Sequence, residues 1–369
     1  MFNVLDQHVT DDYSLYLGDS CEVLQNFPDE SFDLSVYSPP FQSLFTYTPT
    51  ARDLGNSKTK DDFFGHYRFI IKELFRLTKA GRVTAVHVAD LAASLNNDGY
   101  IGLKDFSGSV IRAYEQEGWT LDGRIPIDKN QQAQSIRTHS KHLTMTQMEK
   151  DRSWSSPAIP DYILKFRKPG ENKIPVSGGL SGDVWIEYAN PTWSENDFTS
   201  KVKYFDTCLQ NIKRSFLTEQ GMIKIDLSYS EVGSILAEIE KNEKLLKSHR
   251  GEACFYPFDG KDRINDVGAH ETWFGIQETK VIQGAFDGRE EKDEKHIAPL
   301  QLETIRRCIE LWSNPGEIIL DPFSGVGSTV YVSVKNGRKG VGIELKESWY
   351  RQSIKNLERL NNSIMEELF

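Results

Sequence analysis

The chain has 369 residues, a hydrophobic fraction of 38% and a formal net charge of −10, as expected for a globular protein with two domains or one domain that carries a large insertion. No apolar run approaches the roughly 18 to 20 residues that a transmembrane helix needs. The four cysteines are scattered without a C-x-x-C pair, which predicts neither a zinc site nor a disulfide framework. The first residues lack the features of a secretory signal, so we expect a metal-free protein of a reducing cytoplasm.

The first 170 residues alternate short apolar runs with segments of helical periodicity. Predicted strands lie at 14–18, 32–37, 82–88, 120–127 and 161–167, and predicted helices lie at 20–26, 61–80 and 106–116. Gly81 is expected to end the second helix. Pro39 and Pro40 end the strand at 32–37, because two consecutive prolines cannot continue a ladder. Strands separated by helices predict a parallel sheet with helices on both faces.

A basic stretch lies at residues 124–173, which contain ten basic and five acidic side chains within an acidic chain. Five of these ten basic residues fall in the loop between the strands predicted at 120–127 and 161–167. A positive loop is able to contact nucleic-acid phosphates. A solvated surface loop has the same charge pattern, so both interpretations stay open at this point.

Residues 171–290 differ in character from the segments on either side. They include Trp185, Trp193, a polar helical stretch at 201–217 and a charged helical stretch at 231–246, and they carry no chemical motif that we recognise. The α/β pattern then resumes, with predicted helices at 300–312, 328–336 and 348–360 and predicted strands at 318–320 and 340–344. We therefore interpret the middle segment as an insertion.

A glycine-rich turn, residues 321–329 (Asp-Pro-Phe-Ser-Gly-Val-Gly-Ser-Thr), follows a predicted strand and opens a predicted helix. Gly325 and Gly327 lack a Cβ atom, so the backbone can approach a ligand closely. Glu344 ends the next strand, where a carboxylate can accept hydrogen bonds from ribose hydroxyls. The spacing matches neither the dinucleotide fingerprint nor a P-loop, so a plain turn and a surface carboxylate remain the alternatives.

A proline motif, Ser38-Pro39-Pro40-Phe41, also follows a predicted strand. Methyl transfer to an aromatic amine requires hydrogen-bond acceptors that draw the nitrogen lone pair out of the ring. The Ser38 hydroxyl and the Pro39 carbonyl can accept these hydrogen bonds, and proline sets the carbonyl direction in advance because it fixes φ. Phe41 offers a flat surface for an extruded base. Taken alone, the four residues could also form an ordinary turn.

Together the two motifs resemble those of the DNA amino-methyltransferases, in which (D/N/S)-P-P-(Y/F/W) is the catalytic motif and F-x-G-x-G binds S-adenosyl-L-methionine. The catalytic motif comes first here, which is the permuted order of the family's β group. The resemblance implies an α/β fold with a doubly wound, mostly parallel seven-stranded sheet of the Rossmann-like methyltransferase type. Residues 1–170 and 290–369 would form this catalytic domain, and residues 171–289 would form an inserted target recognition domain.

The resemblance also implies roles for individual residues. Residues 16–19 resemble the element whose acid contacts the adenine of the cofactor, and residues 294–300 resemble the element that closes over its methionine moiety. The implied catalytic residues are Ser38, Pro39, Pro40 and Phe41. The implied cofactor-binding residues are Asp19, His296, Pro299, Asp321, Phe323, Ser324, Gly325, Gly327, Ser328 and Glu344. Our working hypothesis for the basic loop, residues 129–152, is that it grips DNA phosphates near a flipped base through Lys129, Arg137, Lys141 and Arg152.

Serine at position 38 implies N4 of cytosine as the methyl acceptor, because S-P-P occurs mostly in the N4-cytosine enzymes of this family. N6 of adenine is the alternative. The implied partner is double-stranded DNA, and analogy with the β group adds a cognate restriction endonuclease and a second copy of the chain as candidate partners. The expected location is the cytoplasm, in a bacterial or phage-encoded context.

Three other functions compete with this interpretation. A small-molecule or protein methyltransferase shares the glycine-rich turn but needs neither the proline motif nor a large insertion. A nuclease needs clustered acids and a lysine, a pattern that Pro160-Asp161 and Glu344-Leu345-Lys346 match only superficially. A catalytically inactive DNA-binding module is the third, and a cofactor-binding assay would distinguish it. His87 and Asp90 lie at the end of a predicted strand. We expect them to have a structural role, and lining a base pocket is the alternative.

Overall fold

A computed structural model describes residues 3–41, 54–57, 59–93, 99–100, 102–127, 144–156, 159–181, 184–185, 188–189, 282 and 300–368. The chain divides into two compact units. The first comprises Met1–Ile127, Ile159–Trp193 and Glu278–Phe369, and the second comprises Asp128–Ala158 and Ser194–Gln277. The second unit therefore contains the whole basic loop, residues 129–152. The bounds of this unit differ from those predicted for the insertion. The role of residues 171–289 in target recognition stays a prediction.

The first unit is built on an eight-stranded mixed sheet. The described residues of this unit form ten strands, eight of which build this sheet: β1 (Asp6–Val9), β2 (Tyr13–Leu17), β3 (Phe32–Tyr37), β4 (Thr78–Ala89), β5 (Leu91–Ala93), β6 (Gly102–Lys104), β7 (Thr120–Ile127), β8 (Asp161–Arg167), β9 (Ile318–Asp321) and β10 (Lys339–Glu344). The sheet order is β1-β2-β10-β9-β3-β4-β8-β7, and β5 pairs separately with β6. The five strands from β2 to β4 in this order are parallel, whereas β1, β8 and β7 pair antiparallel with their neighbours.

The sheet thus has one strand more than the seven that we predicted. The strand missing from the prediction is β1, which pairs antiparallel with β2 at the edge of the sheet. Its four residues, Asp-Gln-His-Val, include a single aliphatic side chain and alternate between half-buried and exposed positions. This short run lacks the apolar alternation that predicts a strand, and its main-chain pairing with β2 defines it instead.

Helices cover both faces of this sheet, as predicted. The helices among the described residues are α1 (Ser20–Val23), α2 (Lys60–Leu77), α3 (Phe106–Gln116), α4 (Met145–Lys150), α5 (Leu302–Trp312), α6 (Ser328–Lys335) and α7 (Glu347–Leu368), of which α4 alone lies in the second unit. Alternate residues of β10 show the two faces. A Cβ atom added at Gly340 or Gly342 would meet Val330 of α6, whereas Val341 and Ile343 belong to the core cluster that includes apolar residues of α2 and α3.

One predicted boundary is wrong in an informative way. We expected the helix now labelled α2 to run to residue 80 and to end at Gly81, but β4 begins at Thr78. Thr78 pairs with Phe32 of β3, so sheet pairing overrides the helical spacing of these residues. Gly81 lies inside β4 with a φ of +71°, and a Cβ atom there would lie 2.5 Å from the nitrogen of Asn172. Glycine is therefore needed for a close backbone approach, not for a helix end.

The other predicted elements of the first unit agree closely with the structure. The strands at 32–37, 120–127 and 161–167 have the predicted bounds. The helix expected at 20–26 is α1 followed by a 3-10 turn, and α7 continues well beyond its predicted end at residue 360. The helical stretches predicted at 201–217 and 231–246 lie outside the described residues.

Candidate active site

The proline motif and the glycine-rich turn meet at one end of the sheet. They leave the carboxyl ends of β3 and β9, and these strands are parallel neighbours that pair at Leu34 and Ser35. From β9 the chain passes through α6 to β10 on one side, and from β3 it passes through α2 to β4 on the other side. Open α/β sheets bind their ligands at such a switch in direction, so two motifs far apart in sequence come to border one candidate site.

Two glycines give the glycine-rich turn its shape. Gly325 and Gly327 adopt left-handed backbone conformations, with φ values of +53° and +88°. A Cβ atom added at Gly327 would lie 2.9 Å from the Cβ atom of Ser353 on α7, whereas a Cβ atom at Gly325 would have no described atom within 4 Å. Gly327 is therefore required for packing of the turn on α7. No described atom blocks the approach of a ligand to the backbone of Gly325.

Glu344 ties this turn to the end of β10. One carboxylate oxygen accepts a hydrogen bond from the Gly325 N–H at 2.7 Å, and the other accepts one from the Lys346 N–H at 2.7 Å. The Glu344 carbonyl accepts a further hydrogen bond from the Gly18 N–H at 2.9 Å. Asp19, the next residue, caps α1 by accepting a hydrogen bond from the Cys21 N–H at 2.9 Å. The two predicted cofactor acids therefore lie at adjacent strand ends.

Three further residues of the turn are buried within it. Asp321 accepts a hydrogen bond from the Phe323 N–H at 2.9 Å. Burial nevertheless raises the pKa of Asp321 to about 7, against the opposing effect of hydrogen bonds from Thr329 and Phe323. Ser324 and Ser328 are also buried, and the Ser324 hydroxyl has no hydrogen-bond partner among the described residues. These contacts support a role for Asp321 in holding the shape of the turn.

Ser38 contacts a histidine for which we expected a structural role. Its Oγ lies 3.2 Å from Nδ1 of His87 and 3.3 Å from the His87 carbonyl oxygen. The other ring nitrogen, Nε2, lies 3.1 Å from Oδ2 of Asp161 on β8. The signal that would have found this contact is strand register: Tyr37 pairs with Val86, so the next residue of each strand is also adjacent. Sequence periodicity does not specify that register.

Phe41 lies beside the same histidine. Its ring meets the His87 ring edge to face with centroids 6.3 Å apart, and it lies 5.8 Å from the Phe106 ring of α3. Phe41 and Pro40 are half-buried, whereas Pro39 is buried. A partly accessible aromatic ring next to hydrogen-bonding groups is able to stack on a planar base.

Asp90 has contacts that fit the structural role expected for it. It follows β4, and one of its carboxylate oxygens accepts a hydrogen bond from the Ser107 N–H of α3 at 2.9 Å.

Burial raises the pKa of Cys21 to about 12 and also raises the pKa of Cys308. These two thiols therefore stay protonated near neutral pH, and neither supplies a nucleophilic thiolate.

Several predicted site residues lie outside the described residues, namely His296, Pro299, Lys129, Arg137 and Lys141. Arg152 is described: it is exposed in a 3-10 turn that follows α4 in the second unit. In the described ranges, no group of His, Cys, Asp and Glu side chains is placed to hold a metal ion. No helix in those ranges is long and apolar enough to cross a membrane.

Known proteins share both the sequence pattern and the fold. A family model described as DNA methylase, of the N6/N4 type, matches residues 32–355. The DNA adenine methyltransferase YhdJ of Escherichia coli strain K12 is 35% identical over 75 residues, which are 20% of this chain and 26% of YhdJ. The match thus spans about a quarter of that relative.

Two solved structures resemble the chain over nearly its whole length. One is described as a DNA modification methylase from Thermus thermophilus in complex with S-adenosyl-L-methionine; its TM-score is 0.52 at 17% identity, over 94% of this chain and 93% of that chain. The other is the PvuII DNA methyltransferase, described as cytosine-N4-specific; its TM-score is 0.53 at 15% identity, over 98% of this chain and 94% of that chain. At these identities they show a shared fold, and they confirm the predicted α/β class.

Proposed function

The chain belongs to the N6/N4 DNA methylase family, and from this premise we propose that it transfers a methyl group from S-adenosyl-L-methionine to the exocyclic N4 amine of a flipped cytosine in double-stranded DNA. The observation that carries this function is the meeting of the proline motif and the glycine-rich turn at neighbouring strand ends. Groups suited to hold an amine thus lie beside groups suited to hold a methyl donor.

The glycine-rich turn fits S-adenosyl-L-methionine. No described atom lies within 4 Å of a Cβ atom added at Gly325, so the backbone of Gly325 would approach the methionine moiety, and Asp19 at the adjacent strand end would face the adenine. Glu344 ends β10 with its carboxylate beside the turn, where it would also accept hydrogen bonds from the ribose. When bound, the cofactor supplies an electrophilic methyl group on a sulfonium sulfur. His296 and Pro299 join this assignment through sequence resemblance.

The proline motif fits the amine side of the reaction. The Ser38 hydroxyl and the Pro39 carbonyl would accept hydrogen bonds from the amine, which draws its lone pair out of the ring. Phe41 would stack on the flipped base, with its own ring held by His87 and Phe106. Because the reaction is a direct displacement at the methyl carbon, these residues contribute mainly by in-line positioning.

Binding of DNA requires positive charge that the chain as a whole lacks. Residues of the basic loop would supply it by contacting phosphates, and the exposed Arg152 is the one whose surroundings are described. Target recognition is assigned to the insertion at residues 171–289. A cognate restriction endonuclease and a second copy of the chain are the candidate protein partners.

N6 of adenine is the second candidate for the acceptor. The similarity to YhdJ, described as a DNA adenine methyltransferase, favours it. Serine in the first position of the proline motif favours cytosine. Either amine needs the same acceptors and the same stacking surface, so Ser38, Pro39 and Phe41 keep their roles in both cases.

The test is transfer of labelled methyl from S-adenosyl-L-methionine to unmodified duplex DNA, followed by digestion to nucleosides and identification by mass. We expect N4-methylcytosine. N6-methyladenine would select the second candidate and leave the site assignment in place. A protein that binds the cofactor yet methylates neither base would overturn the proposed activity and favour an inactive binding role.

A further inference from the structure

A buried polar chain runs from Ser38 into the sheet. His87 and Asp161 have exposed fractions of 7% and 4%, and they lie on neighbouring antiparallel strands, β4 and β8. The three side chains follow in order, with 3.2 Å between Ser38 Oγ and His87 Nδ1 and 3.1 Å between His87 Nε2 and Asp161 Oδ2. The outer end of this chain is the residue to which we assign the amine contact.

Hydrogen-bonding capacity decides where the hydrogens lie. An ionised carboxylate only accepts hydrogen bonds, so Asp161 requires an N–H at Nε2 of His87. A neutral imidazole with its hydrogen at Nε2 has a bare Nδ1. This Nδ1 then accepts a hydrogen bond from the Ser38 hydroxyl, whose oxygen keeps its lone pairs directed to other donors.

The same arrangement also accommodates a protonated imidazole. The His87 carbonyl oxygen lies 3.3 Å from Ser38 Oγ, so the Ser38 hydroxyl can turn to donate there once Nδ1 carries a hydrogen. The Nδ1–H then donates to Ser38 Oγ, and Asp161 balances the positive charge. Each of these polar groups keeps a partner in both protonation states, as a buried proton acceptor requires.

We propose that His87, positioned by Asp161, takes up through Ser38 the proton that the amine loses when it is methylated, an inference that rests on the proposed function. The amine nitrogen gives its lone pair to the methyl carbon, and the carbon–sulfur bond breaks with its electrons kept by sulfur. The surplus amine proton passes to Ser38 Oγ as the Ser38 proton passes to Nδ1. The products are a neutral methylated amine, a thioether and an imidazolium paired with Asp161.

Asp161→Asn tests this role at nearly constant size. The amide presents an N–H group to Nε2, which favours the tautomer with its hydrogen at Nδ1, and that nitrogen can no longer accept a proton. We expect the single-turnover rate of methyl transfer to fall on the order of 10²-fold or more, with unchanged dissociation constants for cofactor and DNA. Asp33→Asn is the matched control, because Asp33 is a buried carboxyl at the other end of β3, paired with Lys79.

A double substitution separates a proton path from a purely structural role. If His87 acts through Ser38, then Asp161→Asn should cause little further loss in a Ser38→Ala background. Three outcomes would each overturn the relay. The losses of rate from Ser38→Ala and Asp161→Asn could multiply in the double variant, Asp33→Asn could lose as much rate as Asp161→Asn, or Asp161→Asn could keep the wild-type rate. If the wild-type chain methylates DNA and Asp161→Asn does so at the wild-type rate, only the relay fails. If the wild-type chain transfers no methyl group, both the relay and the proposed function fail.

Discussion

The ring of Phe323 in the glycine-rich turn lies 5.7 Å from the ring of Tyr37, the residue immediately before Ser38. Tyr37 is fully buried, and its hydroxyl forms hydrogen bonds with the hydroxyls of Tyr67 and Tyr114. Because a close-packed interior resists displacement, this aromatic cluster fixes the two motifs relative to each other. Transfer between two ligands depends on such fixed geometry, since a misplacement of about 1 Å can cost about 10²-fold in rate.

Replacement of Phe41 separates the base from the cofactor. Phe41→Ala should lower the rate of methyl transfer at limiting DNA about 5-fold or more, since stacking on a base contributes about 1–3 kcal/mol. The dissociation constant for S-adenosyl-L-methionine, measured by calorimetry, should not change. Phe69→Ala, at an exposed phenylalanine of α2, is the control and should change neither quantity. Equal losses of turnover and cofactor binding would mean that Phe41 serves the fold.

Replacement of Glu344 tests the cofactor side of the site. Glu344→Gln keeps the shape but removes the negative charge and one acceptor oxygen, so one of the two N–H groups of Gly325 and Lys346 loses its partner. A hydrogen bond from the ribose to the charged Glu344 carboxylate would contribute about 1.5–3 kcal/mol. Its loss should raise the dissociation constant for the cofactor at least about tenfold. Glu347→Gln, at the exposed start of α7, removes an equal charge nearby. The same rise in both variants would contradict a specific role for Glu344.

Much of this site follows from sequence because its parts lie at strand ends. Short apolar runs predict β3 and β9, and the prolines and glycines that follow mark where each run stops. All six residues of β3 are buried, as in a central parallel strand that is covered on both faces, although Asp33 and Ser35 interrupt its apolar side chains. Since parallel strands end at one edge of a sheet, the sequence alone is enough to expect that Ser38, Asp321 and Glu344 lie near each other.

The contacts of His87 could not be predicted in the same way. Its link to Ser38 depends on the register between β3 and β4, and its link to Asp161 depends on the register between β4 and β8. Both registers result from packing of whole strands, and a slip of one residue would turn His87 to the other face. The strand β1 was missed for a related reason, since pairing rather than apolar spacing defines it.

Asp321 should make stability depend on pH. Burial raises its pKa from 3.8 to about 7, so the folded state binds a proton that the unfolded state releases between these values. The stabilising contribution of the neutral carboxyl is therefore complete below about pH 4 and is lost as pH rises through about 7. Asp321→Asn stays neutral at every pH. The melting temperature of the wild type relative to this variant should therefore fall from pH 5 to pH 8, and a constant difference would contradict the shift.

The basic loop should bind DNA through phosphates and not through bases. Charge reversal at Arg137 and Lys141 should then weaken binding to every duplex sequence, because counterion release at phosphates does not depend on sequence. The slope of log affinity against log salt should become less steep by about one for each phosphate that is no longer neutralised. Fluorescence anisotropy with a matched pair of duplexes, measured over a range of salt concentrations, gives both quantities.

The control for this experiment must change net charge equally. Charge reversal at Lys335 and Lys355, which are exposed on α6 and α7, adds the same negative charge far from the basic loop in sequence. If long-range repulsion by an acidic chain were the cause, both pairs of substitutions would weaken binding alike. A loss confined to Arg137 and Lys141 identifies local phosphate contacts. Unchanged affinity of that variant at low salt would show that the basic loop is only a solvated surface loop.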